Sequence, residues 1–211
     1  MRRLVLTVLL AAAVVTACGD TGNSGGITVK FVGNSTCSTD GASPYSPSPP
    51  NTNTAPVGQA IDEMPHTHVA EGTTVNYMHN PPTSGCHYNL GVGVAPIAPG
   101  VYPPSALPKL TPGYWVHNLE HGYIVVTYNC PDGCATDIAA LNTFYRSQTA
   151  DPGGAVPYPK FIAVPYTQQK EKFDVVSWDW FDPLGSTLNL TELKKFFDNH
   201  VNQSPEGASS G

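Results

Sequence analysis

The chain has 211 residues, a formal net charge of −6 and only 12% charged residues. Its acidic balance argues against nucleic acid or an anionic lipid surface as the main partner, because both attract basic proteins. The 21 prolines and 20 glycines indicate a loop-rich domain and exclude a helical bundle as the expected architecture.

The first segment, residues 1–17, is predicted to be a lipoprotein signal peptide. Arg2 and Arg3 precede an apolar run over residues 4–15, which is shorter than the roughly 20 residues of a membrane span. Small residues then lead to Cys18, the predicted lipid acceptor. The alternative is an ordinary signal peptide cleaved nearby, which would change the anchor but not the compartment. Without residues 1–17, 8 basic residues remain against 16 acidic ones, a net charge of −8.

These features predict a protein of the cell envelope, held outside the cytoplasmic membrane by the lipid on Cys18. Residues 18–57 are predicted to be a tether and a Pro/Ser-rich linker with one short strand at residues 27–32. A single globular domain is predicted over residues 58–203, and a flexible tail over residues 204–211.

Four cysteines remain after Cys18. In an oxidising compartment they most simply form two disulfides, with three possible connectivities. Cys130 and Cys134 enclose a turn sequence, which favours a local bridge and would leave Cys37 with Cys86. A thiolate metal site or a redox pair is the alternative, but the Cys-x-x-Cys spacing of either chemistry is absent.

Hydrophobic periodicity predicts the elements of the domain. Strands are expected at residues 73–77, 123–128, 160–166 and 175–181, and helices at residues 136–148 and 190–201. Asn189 followed by Glu192 is typical of a capping box at the last helix. The predicted fold is α+β, loop-rich, with a small mixed or antiparallel sheet and two helices packed on one face of it.

Two imidazoles and a carboxylate are concentrated in the sequence His117-Asn118-Leu119-Glu120-His121-Gly122. Residues four apart lie on one side of a helix or of a strand, so His117 and His121 should point the same way in either case. Glu120 would flank them on a helix and face away from them on a strand. Gly122 and the β-branched run that follows favour a loop or a strand entry.

Other histidines lie in two upstream segments. His66 and His68 follow a proline, where an extended backbone is favoured, so that both rings should emerge on one side. Residues 78–88 contain two prolines and a glycine and are predicted to be a rigid, irregular loop that carries His87.

These segments together resemble an exported bacterial family, domain-of-unknown-function family 3105, over about residues 58–206. The resemblance rests on Met64-Pro65-x-x-His68-Val69, Pro81-Pro82-Thr83-Ser84-Gly85, the motif at residues 117–122 and a late strand near Trp178. Cys86 stands where the family pattern has proline, so a disulfide through it would be a local elaboration. The resemblance implies no activity and assigns no role to any residue.

Six of the seven histidines fall within residues 66–121. Imidazole is the commonest nitrogen ligand of zinc and copper, and a thioether favours Cu(I). This density predicts a transition-metal site for a copper or zinc ion, with copper preferred because methionines lie beside the histidines. The predicted ligands are His68, His87, His117 and His121. The second choices are His66, His79, Met64, Met78 and Glu120.

Two other functions remain open. His117-x-x-Glu120-His121 matches a zinc-hydrolase pattern in which Glu120 is the general base, but that pattern requires a long helix. Alternatively, the histidines are structural groups, bonded to buried carbonyls, in a non-catalytic envelope module that binds an unidentified protein or glycan partner. Histidines more than about 10 Å apart would favour the second alternative, because ligands of one zinc ion lie far closer together. His200, on the last helix, is predicted to be structural.

Overall fold

The computed structural model of the chain describes residues 30–31, 51–64, 67–88, 95–106, 110–151 and 154–206. The predicted signal peptide, Cys18, Cys37 and His66 lie outside the described residues, and the predictions about them stay predictions.

Ten strands and three α-helices occur among these residues. The strands are β1 Lys30–Phe31, β2 Gln59–Ala60, β3 His68–Val69, β4 Asn76–Tyr77, β5 His87–Tyr88, β6 Gly100–Val101, β7 Ile124–Tyr128, β8 Phe161–Pro165, β9 Phe173–Ser177 and β10 Trp180–Gly185. The helices are α1 Pro112–Glu120, α2 Ala135–Ser147 and α3 Leu190–His200. None of the three combines the length and the apolar composition that crossing a bilayer requires.

The main sheet is mixed and has the strand order β2-β10-β9-β7-β8-β6. Strand β7 runs parallel to β8 and antiparallel to β9. Two small parallel pairs, β1 with β4 and β3 with β5, lie outside this sheet. The predicted α+β fold with a mixed sheet is confirmed.

The central strand β7 divides the core between its two faces, because successive side chains of a strand point to opposite sides. Ile124 and Val126 pack with the apolar faces of α2 and α3. Val125 packs on the other face, with Trp115 and Leu119 of α1. The sheet is therefore covered on both faces, whereas the sequence predicted helices on one.

The two predicted helices are confirmed as α2 and α3. Each buries apolar residues at helical spacing, such as Leu141 and Phe144 in α2. The side chain of Asn189 accepts a hydrogen bond from the backbone N–H of Glu192 at 3.1 Å, as a helix N-cap does. His200 is buried, and its Nε2 lies 2.9 Å from the carbonyl oxygen of Val57, an arrangement that suits the predicted structural histidine.

The prediction of a loop or strand entry at residues 117–122 is wrong, because these residues close helix α1. Pro112 stands at the first helical position, where its fixed φ suits the helix. Gly122 ends the helix with φ of +83°, and a side chain there would meet the Cα of Asn202 at 2.7 Å. A nine-residue helix is too short to be stable alone, so packing decides its formation and the sequence signal is weak.

The predicted single strand over residues 175–181 is also wrong. Strand β9 ends at Ser177 and β10 begins at Trp180, which makes Trp178 and Asp179 the turn of a hairpin. Asp179, the second residue of the turn, adopts a φ of +60°, in the left-handed region that type II turns use at this position. The continuous aromatic run conceals this reversal in the sequence.

Cys130 and Cys134 form a disulfide with a Cα–Cα distance of 5.8 Å, as the sequence predicted. The bridge closes the turn between β7 and α2. Cys86 is also disulfide-bonded. Because Cys37 is outside the described residues, the pairing of Cys37 with Cys86 stays a prediction.

Asp174 of β9 is a buried carboxyl opposite Thr127 of β7. Burial raises its pKa to about 7, and the charges of Glu171 and Asp182 act in the same direction. The proton is lost near pH 4 in the unfolded chain and near pH 7 in the folded one. Protonation of Asp174 therefore stabilises the folded chain fully below pH 4, and this stabilisation is lost as the pH rises through 7.

We expect the substitution Asp174→Asn to raise the free energy of unfolding by about 1–3 kcal/mol at pH 8, where the buried carboxylate is ionised in the wild type. At pH 4 the gain should be much smaller, because the wild-type group is then neutral when folded. Urea unfolding of both chains at the two pH values measures the difference. A gain that is equal at both values would contradict this account.

Candidate metal centre

Three imidazole rings meet on the α1 side of the sheet. The ring centroids of His68, His87 and His117 are 4.7, 4.8 and 4.8 Å apart, a nearly equilateral triangle. His68 and His87 are direct partners in the parallel pair β3–β5, and His117 comes from α1. With Zn–N distances of 2.0–2.1 Å, ring centroids around one tetrahedral ion are about 5 Å apart. The three rings are therefore spaced as ligands of one ion would be.

Backbone carbonyls fix the orientation of two of these rings. Nδ1 of His87 lies 2.8 Å from the carbonyl oxygen of Gly85, and Nδ1 of His117 lies 2.6 Å from that of Tyr88. Because a carbonyl only accepts, each Nδ1 carries a proton, and the lone pair of the neutral ring is on Nε2. A histidine that binds metal through one nitrogen typically donates from the other in this way.

Glu120 completes the cluster. Its Oε2 lies 2.9 Å from Nε2 of His87 and 3.5 Å from Nε2 of His68. One ligand atom from each of the four residues lies within 4.8 Å of all the others. Adjacent ligand atoms around a tetrahedral zinc ion are about 3.3 Å apart. Glu120 joins His117 on one face of α1 because the two residues are three positions apart in a helix.

The surroundings of His87 suit a positive charge. Its Nδ1 faces the carbonyl of Gly85 and its Nε2 faces the carboxylate of Glu120, so both neighbours are acceptors. A neutral ring would direct its lone pair at the carboxylate, 2.9 Å away. Either a second proton on this fully buried ring or a cation removes that repulsion. A metal ion would satisfy the imidazole and the carboxylate together.

The other protonation states suit metal binding. The pKa of His117 is lowered to about 4, mainly by burial; the hydrogen bond to the Tyr88 carbonyl opposes this shift, and the neighbouring His87, His121 and His68 add to it. Burial raises the pKa of Glu120, but the hydrogen bond with His87 and the electrostatic interactions with His87, His68 and His117 together outweigh it, so the pKa is lowered overall. At neutral pH the site thus offers a neutral imidazole at His117 and an ionised carboxylate, the forms that bind metal.

The cluster is open on one side. His87, His117 and Glu120 are buried, whereas 40% of the His68 side chain is exposed. An ion, a water molecule or a small ligand can therefore reach the centre past His68.

Neighbouring contacts hold the supporting segments in place. Ser84 accepts a hydrogen bond from the N–H of Met64 at 2.9 Å, and the N–H of Asp179 donates to the carbonyl of Thr83 at 3.1 Å. These two bonds fix the proline-rich loop that precedes His87. The hairpin turn that carries Asp179 thus supports the site from the main sheet.

Helix α1 is held by its own contacts. The amide of Asn118 bonds both the N–H and the carbonyl of Ile97, at 3.0 and 2.8 Å. A side chain at Gly113 would meet the ring of Tyr88 at 2.6 Å, so glycine lets the helix approach β5. These contacts set the position of His117 relative to His87.

The structure places the fourth predicted ligand elsewhere. His121 lies beyond Glu120, with its Nε2 3.2 Å from Oε2 of Glu206, and belongs to a separate group with Glu120 and Glu206. Its ring still contacts that of His117, at a centroid distance of 4.7 Å. The structure therefore joins three of the four predicted histidines with Glu120, a second choice.

The other second choices that the structure describes, His79, Met64 and Met78, make contacts of their own. His79 is half-buried, its Nδ1 is 2.7 Å from the carbonyl oxygen of Pro81, and burial lowers its pKa. The sulfur of Met64 accepts a hydrogen bond from the N–H of Met78 at 3.2 Å. Among the described residues, His79 belongs to no candidate metal group of His, Cys, Asp and Glu ligands.

Sequence reasoning missed Glu206, which falls in the predicted flexible tail. Its backbone N–H lies 3.4 Å from the carbonyl oxygen of Glu120, and its carboxylate reaches His121. No local pattern marks such a residue, because its partners are 85 or more positions away in the sequence. The described part of the tail, residues 204–206, therefore contacts the end of α1.

A family model described as "Protein of unknown function (DUF3105)" matches residues 68–211. The matched span begins at His68 and contains every residue of the cluster, as well as Glu206. No curated protein matches the chain. No solved structure matches it either.

Proposed function

Because the chain belongs to the DUF3105 family, whose description assigns no chemistry, we propose a function from the site itself: the protein binds a transition-metal ion. The ligands are His68, His87, His117 and Glu120. The observation that carries this proposal is the buried pair of His87 and Glu120. Nδ1 of His87 donates to the carbonyl of Gly85, so the Nε2 lone pair of a neutral ring would face the Glu120 carboxylate with no proton between them. A metal ion would supply a positive charge between the two groups.

The donor set favours zinc over Cu(I). Three nitrogens and one carboxylate are typical zinc ligands, and Cu(II) accepts them too. Cu(I) would be favoured by a thioether, but the sulfur of Met64 already accepts the N–H of Met78. We therefore propose zinc as the first candidate and Cu(II) as the second, which reverses the order that the sequence suggested.

Metal analysis tests the proposal. The chain would be purified without a histidine tag, stripped with a chelator, refilled with Zn²⁺ or Cu²⁺ and passed through a desalting column. We expect at least one ion per chain to be retained for one of the two metals. Retention well below one ion per chain for both metals would refute the proposal.

A zinc-dependent hydrolase is the second candidate, and two observations favour it. The centre is open past His68, and Glu120 contacts His68 and His87 and lies in one ligand group with His117. A zinc ion held by three histidines would lower the pKa of a water molecule at the open position. Glu120 is then placed to accept its proton. In this arrangement His117 binds the ion but His121 does not, whereas the sequence pattern uses both histidines as ligands.

The non-catalytic module with structural histidines has less support. Scattered histidines would favour it, whereas the three rings lie within 4.8 Å of one another. Single hydrogen bonds to carbonyls explain His79 and His200 but not a triangle of three imidazoles facing a carboxylate.

We also propose that the protein acts in the cell envelope, anchored by a lipid on Cys18. The support is the basic start, the apolar run over residues 4–15 and the cysteine that follows. The disulfide between Cys130 and Cys134 suits an oxidising compartment. Partition of the expressed chain into a detergent phase, lost in Cys18→Ser, tests the anchor.

A further inference from the structure

We propose that Glu120, His121 and Glu206 form a second cation site beside the first, so that the protein holds two metal ions bridged by the carboxylate of Glu120. The inference rests on the proposed function for its first ion. Nothing in the family description assigns this site.

The geometry of the three residues fits a small divalent ion. One ligand atom from each lies within 4.8 Å of the other two. Nε2 of His121 is 3.2 Å from Oε2 of Glu206, close to the roughly 3.3 Å that separates adjacent ligands of tetrahedral zinc. Glu120 belongs to both groups, and a carboxylate has one oxygen to offer to each ion.

The hydrogen bonding of His121 suits a cation ligand. A neutral imidazole has one N–H and one lone pair. Nδ1 of His121 is buried without a hydrogen-bond partner, and Nε2 faces the carboxylate of Glu206, which only accepts. In either tautomer, the lone pair of the neutral His121 ring therefore has no hydrogen-bond donor among the residues that the structure describes. A cation satisfies the lone pair and offsets the charges of the two carboxylates.

The end of α1 favours a cation for a further reason. The C-terminal end of a helix carries a partial negative charge, and the site lies at Glu120 and His121, where α1 ends. Lys160, which is fully buried, donates to the carbonyl of His121 at 2.9 Å and so fixes the backbone there. Its positive charge acts against a second cation, and the carboxylates of Glu120 and Glu206 have to outweigh it.

The segment that carries Glu206 is held against this helix end. The N–H of Asn202 donates to the carbonyl of Gly122 at 2.9 Å, and its side chain donates to Asp151 at 2.7 Å. The backbone contact between Glu206 and Glu120 extends the attachment. The carboxylate of Glu206 is therefore positioned by backbone bonds and not only by its pairing with His121.

The alternative is a plain ion pair between a protonated His121 and Glu206, and metal stoichiometry separates the two. The test uses Zn²⁺ alone, with the full chain and with Glu206→Gln, which removes the charge but keeps the shape of a partly exposed side chain. We expect two ions per chain in the wild type and one in Glu206→Gln. Glu192→Gln, a change of the same kind on α3, is the matched control and should keep two.

A spectroscopic readout accompanies the count. With Cu²⁺ in place of Zn²⁺, two ions that share a carboxylate should show magnetic coupling in the electron paramagnetic resonance spectrum, and Glu206→Gln should restore the signal of an isolated ion. One ion per chain in both proteins, or two in both, would overturn the second site and leave the first intact. No ion in the wild type would overturn the proposed function itself.

Discussion

Replacing His87 by alanine should lower the affinity for zinc by more than about 100-fold, because changes of groups that only support a ligand already cost 10–100-fold. The substitution removes the ring that lies closest to Glu120 and also the bond to the carbonyl of Gly85. Competition with a chromogenic chelator at pH 7 measures the affinity.

A matched control separates a lost ligand from a damaged fold. His79→Ala removes an imidazole that bonds a carbonyl nearby but belongs to no candidate metal group, and it should leave the zinc affinity within about twofold. His87→Ala also leaves the Glu120 carboxylate in a buried position without its nearest partner, a change that typically costs about 3–5 kcal/mol. Circular dichroism and urea unfolding of the metal-free chains would show whether the fold survives. Unchanged zinc affinity in a folded His87→Ala chain would refute the proposed metal site.

Replacing Glu120 by glutamine should also lower the zinc affinity by about 100-fold, since the substitution keeps the shape of a ligand but removes its charge. The carboxylate lies 2.9 Å from His87 and belongs to both candidate groups, so the effect should exceed that of Glu206→Gln. Chelator competition gives the affinity, and hydrolysis of a chromogenic ester such as p-nitrophenyl acetate gives the activity.

The two candidate functions differ in this variant. A ligand role for Glu120 predicts that metal is lost and that any hydrolysis is lost with it. A general-base role predicts that the metal stays bound with nearly unchanged affinity while hydrolysis falls by about 10²–10⁴-fold, the usual contribution of such a base. Loss of activity with retained zinc would therefore favour the hydrolase, with Glu120 as its general base.

The metal would also connect segments that are far apart in the chain. His68, His87 and Glu120 come from β3, β5 and the end of α1, and α1 also packs against the main sheet. Binding free energy at such a site becomes folding free energy, because the unfolded chain has no preformed site. The carbonyl bonds of His87 and His117 reduce the cost of ordering the rings, since the backbone holds them before a metal binds.

Local sequence signals determined two helices, two strands and one disulfide of this protein. The 3.6-residue period of apolar positions located α2 and α3, and the β-branched runs located β7 and β8, because each pattern buries one face of a regular element. The cysteine spacing indicated the bridge between Cys130 and Cys134. Histidine density within the motif segments also named three of the four residues that the structure brings together.

Only the tertiary structure decided the rest. Helix α1 forms because Trp115 and Leu119 pack on the sheet, and that packing turns Glu120 toward His87 instead of away from it. The pairing of His121 with Glu206 depends on the chain returning to the end of α1, 85 residues later. The sequence determines which groups are available as ligands, because that is a matter of side-chain chemistry. Which of them share one ion is a matter of distance, and distances between remote segments are set only when the core packs.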